Sequence, residues 1–296
     1  MELWIFFSIV TALLWAVSDV INKFIFTRWP IKPVILVIFS CLINLVIVVG
    51  IYINQGLSVL SIDHTILAVI AAFFYLLGYL FYFRAVKLEE VSRITPIFYS
   101  MPLFVLLLAA IFFQERLAIS AYSGIFLLVA GAVLITQKGS FSLRFGRAFW
   151  FMILSALSIS ANAIITKYLL NFSDYWTIFS YTRGLGLLPF LIPLMYKKFP
   201  DLKDAAKKGG KTAIGMIVGS ISLNSIGVIL ITVATAAGSV TLVNTLASIQ
   251  PFFVFIFALF ISKFYPQIFK ENLDRPAVIL KLVSILLIVA GAILIT

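Results

Sequence analysis

Apolar residues fill this chain in long runs, and short polar clusters interrupt them at nearly regular intervals. Ten apolar segments can be marked, at approximately 3–26, 34–53, 64–85, 92–112, 119–136, 148–169, 175–196, 212–233, 240–261 and 276–296. Most have the length, about 18 residues or more with few charges, that a helix needs to cross the hydrocarbon of a bilayer. Strands of a membrane barrel would alternate apolar and polar positions. Stretches such as Ile125–Leu134 are instead apolar at consecutive positions. The pattern predicts an all-α polytopic membrane protein with ten transmembrane helices. The connections are short. The longest two are the lysine-rich 197–211 and the segment 262–275, and neither is long or polar enough to form a separate soluble domain.

The composition agrees with this reading. Of 296 residues, 63% are hydrophobic and 11% charged, against about 45–50% and about 25% in a soluble domain. The net charge of +11 would point to nucleic acid in a soluble protein. Here the basic residues fall between apolar segments, as cytoplasmic loops of membrane proteins require, so the expected partner is the lipid bilayer and not nucleic acid. The single cysteine, Cys41, excludes an internal disulfide. Met1-Glu2 offers no basic leader, and Lys23, Arg28 and Lys32 all follow the first apolar segment, so no cleavable signal peptide is expected. The only histidine is His64. No HExxH, GxSxG, phosphate-cradling glycine loop or Cys/His cluster occurs. Neither enzymatic activity nor a cofactor or bound metal is expected.

The segments repeat. The fifth ends Val129-Ala-Gly-Ala-Val-Leu-Ile-Thr136 and the tenth ends Val289-Ala-Gly-Ala-Ile-Leu-Ile-Thr296, a match at seven of eight positions. Ala12–Lys23 in the first aligns with Ala156–Lys167 in the sixth, and Pro102 aligns with Pro251. The charged turn Ala85-Val-Lys-Leu-Glu-Glu-Val-Ser92 then falls on the uncharged Ala234-Thr-Ala-Ala-Gly-Ser-Val-Thr241. The chain thus divides into two five-helix repeats, 1–137 and 148–296. Five is odd, so tandem copies enter the membrane in opposite senses. Inverted repeats are a transporter device that places a site near the bilayer midplane.

The sequence resembles the drug/metabolite transporter superfamily, specifically its ten-helix EamA-type members. The resemblance rests on Leu14-Trp15 with Ser18, Asn22 and Lys23, and on Tyr82–Ser92 leading to Pro96 and Pro102. It continues through Gln114-Glu-Arg-Leu117, Gly124, Leu128–Ile135, Gln250-Pro251 and the final VAGAILI, and covers nearly the whole chain. It implies export of a small metabolite, the class including amino acids, drugs and sugars. This chain departs from the family pattern in three places. Gln114-Glu115 replaces a Gly-Glu after helix four. Ser262-Lys263-Phe264 and a longer loop follow helix nine. Asp19 stands where the family often has Asn.

Polar residues inside apolar segments carry the candidate chemistry. A carboxylate at membrane depth is costly unless paired, protonated or facing water. Asp19 is therefore either a proton-coupling or substrate-amine site, or the partner of Lys23 at i+4. Arg183, about eight residues into the seventh segment, must face the bundle interior. Its planar fork suits a substrate carboxylate or phosphate, or it bonds Asp19 or backbone carbonyls. Together the two would suit a zwitterion. Asn162, Asn224 and Asn244, with Ser18, Thr241 and Gln250, either bond neighbouring helices or line a cavity. Tyr75, Tyr79 and Tyr82, with Trp15, form an aromatic wall or ordinary packing. Gly215 and Gly219 suggest a close helix approach, and Pro102, Pro189, Pro193 and Pro251 suggest hinges. Lys23 and Lys167 are placed to snorkel to the interface. Glu89, Glu90, Lys87 and Arg93 fix a turn at the headgroups or close a gate.

Odd-numbered loops hold nearly all the basic residues, including six lysines in 197–211, whereas even-numbered loops hold Arg116 and the helix-end Lys167. The positive-inside rule then puts odd loops in the cytoplasm and both termini outside, opposite to the usual family picture. The expected function is a secondary transporter in the plasma (inner) membrane that moves a small organic metabolite, an amino acid or related amphiphile. The rivals are a flippase for a lipid-like substrate and a non-transporting scaffold or receptor. The sequence carries no signal for oligomeric state.

Overall fold

A computed structural model describes residues 2–88, 97–136, 146–262 and 275–295. The charged turn at Glu89, Glu90 and Arg93 lies outside the described residues, as do Pro96, Lys138, Arg144, Lys263 and Lys270 and the side chain of Lys87. Among the described residues the chain is helical and has no strand. The first five helices are α1 (Leu3–Arg28), α2 (Pro33–Gln55), α3 (Ile62–Leu88), α4 (Met101–Phe112) and α5 (Ile119–Ile135). They are followed by α6 (Arg147–Leu169), α7 (Tyr175–Ala205), α8 (Lys207–Ala237), α9 (Val240–Ile261) and α10 (Arg275–Ile295). Seven of these are long and apolar enough to cross a membrane, and Met101–Phe112, Ile119–Ile135 and Ile279–Ile295 are shorter apolar helices.

Three helices are irregular. A turn at Tyr99–Ser100 precedes α4, and a turn at Ser248–Ile249 interrupts α9. Pro102 and Pro251 each stand in the first turn of the stretch that resumes. A proline there lacks only an N–H that has no helical partner, so both start helices and neither kinks one. The start of α7 passes through a π turn at Ser180–Gly184 and a 3-10 turn at Leu185–Leu187.

The predicted connection 197–211 is not a loop. The stretch from Leu188 to Ala237 is helical on both sides of a kink at Gly210, whose backbone is non-helical at φ +62°. The local reason is composition. Leu, Ala and Lys are strong helix formers, and Lys198 pairs with Asp201 at 3.7 Å and Lys208 with Asp204 at 3.8 Å along the helix. Lys281 is buried within α10, its ammonium 4.4 Å from the Phe255 ring centre.

The packing is reciprocal. α3 lies along α6 and α8 lies along α1; α4 packs on α6 and α9 on α1; α5 pairs with α10. Large residues such as Val46, Ile53, Leu107, Ile111, Phe260 and Leu286 point outward, while Ala12, Ala16, Ala68, Ala71 and Ala72 are buried. Small interior residues let helix backbones approach where lipid supplies no hydrophobic drive between helices.

In the α5–α10 pair the two backbones meet directly. A Cβ built on Gly291 would stand 2.6 Å from the Leu128 amide and 2.7 Å from the Gly124 carbonyl; one on Gly131 would stand 2.7 Å from the Ser284 carbonyl. Gly291→Val should therefore force the helices apart at a cost of about 1–3 kcal/mol or more. Thermal unfolding in detergent checks this, with Gly215→Ala as the neutral comparison. The Gly215/Gly219 expectation is corrected by the same geometry, because an added Cβ at either meets nothing within 4 Å and both glycines face outward. Their spacing alone could not show which face the neighbouring helices cover. The close approach occurs instead at Gly184, against Val48.

Candidate functional site

The polar side chains that the sequence places at membrane depth gather inside the bundle in two linked groups. The first is built on Arg183, in the π turn of α7. π turns are uncommon and frequently mark functional positions. Arg183 Nη2 donates to Asn162 Oδ1 at 2.7 Å, and Asn162 Nδ2 donates to the Ala71 carbonyl of α3 at 2.8 Å. This second bond sets the amide orientation, so its oxygen faces the arginine. The guanidinium carbon lies 3.8 Å from the centre of the Tyr75 ring, within cation–π range. Arg183 Nη1 is buried and has no hydrogen-bond partner among the described residues. An unpartnered buried donor carries its full desolvation cost, and here it is also charged.

The second group is built on Asp19 of α1. Asp19 Oδ2 accepts from Gln250 Nε2 of α9 at 2.6 Å, and the residue is exposed although it stands in the middle of an apolar helix. Tyr82 and Tyr99 lie within its electrostatic reach, and Tyr79 lies within reach of both Asp19 and Arg183. Tyr79 packs edge-on against Tyr75 at 4.8 Å. Among the described residues no ion pair joins Asp19 to Arg183. The two charges therefore sit on either end of a tyrosine cluster and do not neutralise one another.

The remaining candidates belong to helix seams. Trp15 Nε1 donates to the Asn224 carbonyl at 3.3 Å, and its indole lies over Gly227. Beside it, Thr11 donates to the Gly227 carbonyl, Ser18 and Ser220 share a hydrogen bond at 2.9 Å, and Ser220 donates to Asn22 Oδ1 at 2.7 Å. The Asn224 side chain is half-buried. Asn244 Nδ2 donates to the Val240 carbonyl of its own helix, at 2.8 Å. Ser220 is a position that the sequence does not mark, because a lone serine in an apolar helix gives no signal until its partner is known.

Lys167 does not snorkel. Its ammonium donates to the Thr235 carbonyl at 2.7 Å and the Gly238 carbonyl at 2.8 Å, capping the C-terminal end of α8. Glu115 lies within its electrostatic reach and accepts from Thr241 Oγ1 at 2.6 Å. These contacts tie α6, α8, α9 and the segment after α4 together at the even-loop end. At the same end Asp174 caps α7, accepting from the Trp176 and Thr177 amides at 2.9 and 3.1 Å and from the Thr177 hydroxyl at 2.7 Å. Partial burial pushes the Asp174 carboxyl up, but these hydrogen bonds together outweigh it and hold the group below the usual carboxylate range. A lowered value means the cap stabilises the fold at neutral pH and is lost only as pH falls through that value.

Residues 2–137 match the model of the EamA-like transporter family. An uncharacterized transporter of Bacillus subtilis (strain 168), YxxF, is 31% identical over 136 residues, covering 45% of this chain and 43% of that protein. A WAT1-related chloroplastic protein of Arabidopsis thaliana is 25% identical over 164 residues, covering 53% and 39%. The chain thus matches about two fifths of the length of these curated relatives. One crystal structure superposes with a TM-score of 0.69 over 98% of this chain and 97% of its own, at 16% identity. That likeness shows a shared fold.

Proposed function

We propose that this multi-span membrane protein, whose residues 2–137 match the model of the EamA-like transporter family, carries a small organic amphiphile, an amino acid or related metabolite, by alternating access. The observation that supports this best is the unpartnered Nη1 of Arg183, held inside the bundle by Asn162 and Tyr75. A substrate carboxylate is the group that completes such a fork. Asp19, accessible and bonded to Gln250, is the natural seat for a substrate ammonium or a coupling proton. Tyr79, with Asn162, Trp15, Asn224 and Asn244, supplies the wall between and around them.

The mechanism draws on the repeat. Segments 1–137 and 148–296 act as inverted halves, a reading supported by the reciprocal packing of α3 on α6 and α8 on α1. The matched helix restarts at Pro102 and Pro251 serve as hinges, since a broken helix rotates about its break more readily than a continuous one. Closure at the even-loop end by Lys167 and Glu115, with Asp19 exposed, supports a state open toward the odd loops. The charge asymmetry supports reading those loops as cytoplasmic and both termini as outside, and export across the plasma membrane is the direction proposed.

The separation of Asp19 from Arg183 supports a carrier over a scaffold, which would pair them. Their interior position supports a water-soluble solute over a lipid substrate. The test is flux in proteoliposomes against a panel of amino acids and organic cations, with and without a pH gradient, for wild type and Asp19→Asn. Gradient-driven flux that disappears in the variant is the expected result. Absence of flux for every zwitterion in the panel would overturn the reading.

A further inference from the structure

A second feature lies away from this interior site. A cavity of about 460 Å³ opens between α2, α7 and α8, lined by Phe39, Phe199, Leu202, Ile214 and Ile217, with Lys203 in its wall. Its volume lies within the ordinary range of ligand pockets, about 300–1,000 Å³. Leading to it along one outer face of α7 are Ile192, Tyr196, Phe199 and Lys203, at spacings of four, three and four, all of them exposed. Such spacing forms a single helical stripe. In order toward the end of the bundle it reads aliphatic, aromatic, aromatic, cationic, the same order in which a phospholipid presents acyl chain, interface and headgroup.

The lysines around the cavity are unevenly matched. Asp201 is held by Lys32 at 2.7 Å and by Lys198 at 3.7 Å, and Asp204 faces Lys208 at 3.8 Å. The ammonium groups of Lys197, Lys203, Lys207 and Lys211 make no ion pair or hydrogen bond among the described residues. The helix that carries them does not loop away into solvent. It continues to the bend at Gly210 and returns as α8; Lys203 lines the apolar cavity itself, and Lys207 and Lys211 follow it in the chain on either side of that bend.

We propose that this groove binds an anionic phospholipid, its acyl chain against Phe39, Ile214 and Ile217 and its phosphate at Lys203 with Lys207 and Lys211. A neutral lipid would leave the lysines unanswered. A soluble anion would leave the apolar floor unanswered. Lysines at a membrane surface attract acidic headgroups directly, and the same charges mark this end as the leaflet where such lipids reside. The site is independent of Arg183 and Asp19, so its failure would not touch the transport reading.

The experiment is native mass spectrometry of the delipidated full chain titrated with phosphatidylglycerol or phosphatidylcholine of identical acyl chains. Wild type should retain phosphatidylglycerol with a preference on the order of tenfold or more. The triple variant K203Q/K207Q/K211Q should lose that preference, and Ile214→Trp, which fills the floor, should lower retention of both lipids. Equal retention of the two lipids by wild type would overturn the proposal. So would an unchanged preference in the triple variant, or equally tight binding of soluble glycerol phosphate, which would mark a simple anion site.

Discussion

Replacing Arg183 with methionine is expected to lower flux of a carboxylate substrate by about a hundredfold or more. The variant loses the donor that meets the substrate anion, and a hydrogen bond to a charged group inside a protein is worth about 1.5–3 kcal/mol, more where the partner charge is left buried. Arg183→Lys should rescue little. An ammonium is a point charge and cannot hold Asn162 and a substrate oxygen with one planar fork. Stability should move much less than transport. Methionine gives up the Asn162 bond, but it also removes the buried donor that has no partner in the free protein. These two contributions are of similar size and opposite sign. Thermal unfolding and substrate-dependent stabilisation, measured on the same preparations, separate the roles. A binding arginine gives a variant that unfolds near the wild-type temperature and is no longer stabilised by substrate. A purely structural arginine gives a lower unfolding temperature with substrate stabilisation intact.

Lys167→Met should favour the state open at the even-loop end by about two orders of magnitude in population. The wild-type ammonium makes two bonds to the Thr235 and Gly238 carbonyls. Each charge-assisted bond contributes about 1.5–3 kcal/mol, and a cation at a helix C-terminus adds about 0.3–1 kcal/mol. If opening breaks these contacts, their loss of about 3 kcal/mol or more corresponds to at least a hundredfold change. The measurement uses a Cys41→Ala background with a single cysteine at position 244, one turn beyond the latch, and a membrane-impermeant maleimide. Labelling from the even-loop side should accelerate strongly in Lys167→Met and remain slow in Lys167→Arg. An unchanged rate would show that Lys167 caps α8 without holding the mouth shut.

Arg183 and Lys167 differ in how much of their role is legible in the sequence. Arg183 and Asp19 could be recognised as interior charges because each stands alone in an apolar run, and a charge in lipid is penalised wherever the helices pack. Their partners could not be recognised. Asn162, Ala71 and Tyr75 come from helices distant in the chain, and only the packing of α3, α6 and α7 brings them to the arginine. The same holds for Gln250 beside Asp19, 231 positions away. Lys167 illustrates the opposite error. A lysine near a helix end reads as a snorkelling residue, because nothing local reveals that the end of α8 arrives there with two free carbonyls.

The sequence by itself determined the membrane class and the order of apolar segments, and it carries the self-similarity from which two repeats are expected. These follow from run length, charge content and self-similarity, which are local properties and need no knowledge of neighbours. Where local propensity and charge pointed different ways, at 197–211, helix propensity with intrahelical ion pairs prevailed over the loop that charge suggested. Only the tertiary structure decided which faces are covered. It turned Gly215 and Gly219 outward, pressed Gly291 onto Leu128 and Gly124, and left Arg183 Nη1 without a partner. Those outcomes depend on how helix faces and side-chain directions combine in three dimensions. An apolar helix can stand in the membrane in many rotations, and only contact with the others selects one.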